Sequence, residues 1–77
     1  MSRLRVAVAV TDEALGRVQE VIRACCALGF REEVTLPWVG IFTGLIEADT
    51  VQGLRMIPGV AAVELERDSK IERRRAH

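Results

Sequence analysis

An α+β fold built on one four-stranded antiparallel sheet is predicted by three observations on this chain. The hydrophobic period changes from two residues to about 3.6 and back, twice, along the sequence. Gly29 and the Pro58–Gly59 pair stand where the period returns to two, and Pro37 stands between two runs of period two, as turn and stop residues should. The chain has 77 residues, 49% hydrophobic and 29% charged, which suits one small globular core and leaves no room for a second.

The elements follow in order. Leu4, Val6, Val8 and Val10 alternate with Arg5, Ala7, Ala9 and Thr11, giving a first strand with one clearly apolar face. Thr11 or Asp12 is placed to cap a helix in which Leu15, Val18, Ile22 and Cys25 recur at three and four residues, Val21 and Leu28 widening the stripe. Gly29 ends it. A second strand is expected over about residues 32 to 36, with Val34 and Leu36 inward, and Pro37 interrupts the ladder before a third strand over about 39 to 48. Those two strands form a hairpin. Asp49 is expected to cap a short helix over 50 to 57, with Val51, Leu54 and Ile57 as its apolar face, and Pro58–Gly59 stops it. The last strand, 60 to 66, puts Ala61, Val63 and Leu65 on one face. Residues 1–68 read as a single domain and 69–77 as an extended basic tail, with no internal repeat or linker.

The order strand, helix, strand, strand, helix, strand is the ferredoxin-like βαββαβ plan, and right-handed crossovers put both helices on one face of the sheet. Gly40 and Gly44 are expected on the helix side, where missing side chains permit close approach, with Phe42 and Ile46 filling the gaps. In the usual strand order 4-1-3-2 the uncovered face reads Ala62, Glu64 and Glu66, then Arg5, Ala7 and Ala9, then Val39, Ile41, Thr43 and Leu45, then Glu33 and Thr35. Its middle is small and apolar. A contiguous apolar patch larger than a few hundred Å² is rarely exposed without a use, so this face is a candidate binding surface.

Composition narrows the function classes. Eleven basic and eleven acidic residues cancel, so no global field draws the chain to nucleic acid or to an anionic membrane, and neither is an expected partner. Arginines cluster in ERRRAH, but Glu66, Asp68 and Glu72 oppose Arg67, Lys70, Arg73, Arg74 and Arg75 there, which reads as a solvated terminus. MSRLRVAVAV passes into TDE without a cleavage pattern and reads as a strand rather than a signal peptide; no segment approaches the roughly 20 apolar residues of a membrane span. A cytoplasmic location is expected. Cys25 and Cys26 are neighbours whose helical side chains diverge by about 100°, and the only histidine is His77, so no metal site and no cofactor are expected. Ser2, Ser69 and the threonines have no histidine partner besides His77, so no catalytic residue is expected and the chain reads as a non-enzyme. Trp38 suits either an interface anchor or the closing of a hairpin.

The run TVQGLRMIPGVAAVELERDSKI resembles the C-terminal half of subtilisin propeptides and of the stand-alone peptidase inhibitors of propeptide type, with a short helix, a proline, a Val-x-x-Val-Glu strand and an extended tail. VGIFTGLIEAD is similar to the third strand of that family, and LRVAVAV with the first helix is more distantly similar. The resemblance implies that the uncovered face, with Ala7, Ala9, Val39, Ile41, Thr43, Leu45 and Ala62, packs on two surface helices of a subtilisin-like serine protease. It implies that Glu64 and Glu66 cap the N-termini of those helices, which carry orphan N–H groups and the positive dipole end. It also implies that Arg67, Asp68, Ser69, Lys70, Ile71, Glu72 and Arg73 lie in the substrate cleft. With no protease domain in the 77 residues, such an inhibitor or folding assistant acts in trans; its ERRRAH ending departs from the small or aromatic residues that common subtilisin pockets accept.

Two alternatives stand beside this reading. Alternating charge on an edge strand also protects against aggregation, which accounts for Glu64 and Glu66 without a partner. The open faces of two copies can also stack, making the chain a self-associating structural or regulatory module. Similar proteins with the TLPxxGxxxG and GVAxVE patterns are also identified as ketohydroxyglutarate aldolases. That chemistry needs a buried Schiff-base lysine and a barrel; the only lysine is Lys70, in the tail, and the chain is too short for the barrel.

Overall fold

The computed structural model describes residues 3–66. In chain order these form β1 (Arg3–Val10), a 3-10 turn (Asp12–Arg17) that runs into α1 (Val18–Cys26), β2 (Arg31–Leu36), β3 (Ile41–Glu47), a second 3-10 turn (Ala48–Thr50) leading into α2 (Val51–Arg55), and β4 (Val60–Leu65). The four strands make one antiparallel sheet in the order β2-β3-β1-β4. This is the ferredoxin-like arrangement that the periodicity predicts.

One core explains why both helices lie on the same face. Val6, Val8 and Val10 of β1, Phe42 and Ile46 of β3 and Val63 of β4 meet Val18, Val21, Ile22 and Cys25 of α1 and Val51 and Leu54 of α2 in a single buried cluster. Phe30, just before β2, completes it edge-on to Phe42, with ring centroids 5.5 Å apart. Among the described residues no polar or charged side chain is buried. Burial of aliphatic and aromatic surface on this one face therefore holds the domain together.

The helices are shorter than their apolar stripes suggest. The Thr11 hydroxyl accepts a 3.2 Å bond from the Ala14 N–H, so the expected cap is present, but the first turns are 3-10 and Gly16 interrupts them. Leu15 and Leu28 are consequently exposed rather than in the core. Leu15 instead lies over Gly40: a Cβ at Gly40 would come within 2.5 Å of Leu15 Cδ2. Asp49 does not cap α2; it accepts a bond from the Thr50 hydroxyl at 3.1 Å, and α2 begins without a side-chain cap. Helical geometry after Ala48 is held by tertiary packing of Val51 and Leu54.

The second strand corrects the expectation most. Val34 and Leu36 do not point inward, and Thr35 does not lie on the open face. Leu36 is paired directly with Ile41 and Thr35 with Phe42, across a four-residue connection of 37 to 40. Directly opposed residues share a face, so Phe42 turning into the core carries Thr35 with it and sends Leu36 and Val34 outward. Val39 belongs to that connection rather than to β3, and Gly40 closes it at φ +72°, donating its N–H to Leu36 O at 3.0 Å. A bulge follows: Glu32 pairs with Gly44 and Val34 with Thr43, leaving Glu33 as the extra residue. With that extra residue the alternation reverses, and Phe30 arrives on the core side. A Cβ at Gly44 would strike the Arg31 carbonyl and approach Phe30 Cζ within 2.6 Å, so this glycine makes room for the incoming chain and the aromatic ring rather than for a helix.

Candidate docking face

The side of the sheet away from the helices is built in rows, because the register sets one residue of each strand beside its neighbours. The first row holds Leu36, Ile41, Ala9 and Ala62. The second holds Val34, Thr43, Ala7 and Glu64. The third holds Arg31, Leu45 and Arg5, with Glu66 beside Arg5 through its N–H to Arg5 O at 2.9 Å. A partial fourth row pairs Glu47 with Arg3.

Side-chain size divides this face into halves. On β1 and β4 the central residues are alanines, and Ala7, Ala9 and Ala62 floor a shallow depression of about 210 Å³ bounded by Ile41 and Glu64. On β3 and β2 the surface is raised by Ile41 and Leu45, then by Leu36 and Val34, the last 55% exposed. Trp38 (75% exposed) and Val39 extend the apolar surface past the first row. Trp38 therefore does not close the hairpin against the core.

Charge is organised too. Arg5 reaches across β3 to Glu33, with Nε and Nη2 donating to the two carboxylate oxygens at 3.0 and 3.2 Å. That forked pair holds the Arg5 guanidinium still more firmly protonated than usual, through the hydrogen bond first and the charge second. Arg3 pairs with Glu47 at 3.5 Å. Glu64 and Glu66 are exposed and have no salt-bridge partner among the described residues, so their carboxylates remain available at the β4 edge.

Of the residues singled out from sequence, Ala7, Ala9, Ile41, Ala62 and Glu64 converge on the depression, and Thr43, Leu45 and Glu66 lie on the same face. Val39 stands apart in the β2–β3 connection. The expected cleft-binding residues, Arg67 to Arg73, lie outside the described residues. Val34 and Leu36 were missed, and the four-residue spacing between Leu36 and Ile41 was the signal that places them; Arg5 and Glu33 were read onto this face, without their pairing.

Cys25 is buried and Cys26 exposed, both as free thiols, and burial followed by the neighbouring thiol pushes the Cys25 pKa up to about 11. Among the described residues no group of three or more His, Cys, Asp or Glu could hold a metal, and no helix is long and apolar enough to cross a membrane. Compared with known proteins, the chain matches no family model, no curated protein and no solved structure.

Proposed function

We propose that this chain is a non-catalytic binding module that docks in trans on a subtilisin-like serine protease, with its open sheet face against surface helices of the enzyme and its C-terminal segment in the substrate cleft. The observation that carries the reading is the alanine-floored depression bounded by Glu64, with Glu66 on the same strand. Small side chains let a helix approach a sheet closely, and a carboxylate at the rim accepts the orphan N–H bonds of a helix N-terminus while facing the positive end of its dipole. Residues 67 to 73 follow Glu66 directly in sequence, so a segment entering the cleft starts at the docked edge. The resemblance of residues 50–71 to propeptide-type inhibitors supports the same partner. Two free adjacent cysteines suit a reducing, cytoplasmic setting.

The test is inhibition and complex formation against a panel of subtilisin-like proteases, including one that prefers basic residues. Glu64→Ala with Glu66→Ala is expected to weaken the complex by about 0.5–2 kcal/mol for each cap lost. Deleting residues 69 to 77 is expected to lower inhibition while measurable binding persists. No complex with any member of the panel would overturn the proposal.

A further inference from the structure

We infer that the free chain pairs with a second copy of itself, open face to open face, about a two-fold axis that runs along the strands between β1 and β3. This goes beyond protease docking and does not rest on it. It makes the two states mutually exclusive, because the second copy covers the surface the protease would use.

The argument starts from the strand order. A two-fold axis parallel to the strands, placed between β3 and β1 in the order β2-β3-β1-β4, sets β3 over β1 of the other copy and β2 over its β4. Height along the strands is preserved, so each row meets the same row. In the first row Ile41 comes over Ala9 of the second copy and Leu36 over its Ala62, so the raised half of each face enters the depressed half of the other. In the third row Arg31 comes over Glu66 of the second copy, and in the fourth Glu47 comes over its Arg3. Leu45 covers the stem of the second copy's Arg5, whose guanidinium is drawn aside to Glu33. In the second row Thr43 meets Ala7, while Val34 lies beside the stem of Glu64, whose carboxylate remains in solvent at the sheet edge.

Shape and charge therefore match under one operation, and each match occurs twice. Other axes lose this: an axis in the sheet plane and perpendicular to the strands puts the acidic β4 edge over itself. Stacked sheets cross at about 30°, which displaces the edge strands by roughly 4 Å along their length and the outermost rows by roughly 5 Å across it, so the correspondence is closest in the two inner rows, which include the Arg31–Glu66 pair. Four strands by about four rows give roughly 400 Å² in projection, which places the contact among small, reversible interfaces.

Sedimentation equilibrium of the full 77-residue chain, over a concentration series reaching the millimolar range, tests the pairing with charge reversals. Arg31 and Glu66 are both exposed, so Arg31→Glu and Glu66→Arg leave the core untouched, which circular dichroism checks. Each single variant is expected to raise the dissociation constant about tenfold, since both copies lose the contact. An equimolar mixture of the two variants is expected to recover wild-type association, because every unlike pair regains both arginine–glutamate contacts. A monomer at all concentrations, or a mixture that associates no better than either variant alone, overturns the inference. No protease is present in the experiment, so that failure leaves the docking proposal standing.

Discussion

Cys25 and Cys26 are adjacent, yet burial makes them chemically unlike. Cys25 has no solvent exposure and its thiol is pushed up to about 11, while Cys26 is exposed. The folded state therefore holds the Cys25 proton after the unfolded chain has released it near the ordinary value of 9.0. Stability contributed by the neutral thiol is complete below that value and declines as pH rises from about 9 to about 11. A urea-denaturation series across this range should show the midpoint falling, and Cys25→Ala, compared with itself across pH, should lose that slope. Alkylation of the native chain at about pH 8 should mark Cys26 alone, because only an accessible thiolate reacts. Rapid labelling of Cys25 under native conditions would contradict the burial on which both expectations rest.

At the scale of elements, β2 is two short strands out of step, joined at Glu33. Leu36 and Val34 face outward on one side of the bulge, and Phe30 faces the core beyond it. Phe30→Ala should cost about 3–5 kcal/mol, and Leu36→Thr less than about 1 kcal/mol, measured by chemical denaturation; equal costs would mean that the two residues share an environment. Deleting Glu33 removes the extra residue and leaves the outward and inward sets as they are, so the fold should survive with loss of the Arg5 pair. The order and type of all six elements were legible because Val6, Val8, Val18, Ile22, Phe42 and Ile46 repeat at the period of their own element. The facing of β2 was not, since alternation sets Val34 and Leu36 on one face without saying which side of the sheet that face takes, and only the pairing of Leu36 with Ile41 turns it outward. The helix ends were also misread, because propensity at Gly16 and packing at Val51 override the apolar stripe and the expected Asp49 cap. Of the candidate face, the β1 and β3 contributions were read correctly wherever strict alternation holds, and Val39 failed where the strand had not yet begun.

For the whole molecule, the decisive feature is that, among the described residues, helices cover only one side of the sheet. The open side of the sheet buries little apolar surface in the isolated chain, and whatever covers it adds to stability. The melting temperature thus becomes a gauge of occupancy that does not depend on knowing the occupant. A partner present at 100 times its dissociation constant raises unfolding free energy by about 2.7 kcal/mol. For a domain of this length each kcal/mol moves the midpoint by roughly 4–8 °C. The free chain should accordingly melt at higher temperature as its own concentration rises, and a bound protease should replace that dependence with one on the protease concentration. A scan of thermal midpoint against protein concentration therefore needs no label and no candidate ligand. A midpoint unmoved by either would mean that the face stays bare, and a bare face of this size would bring the chain's solubility, rather than its fold, under selection.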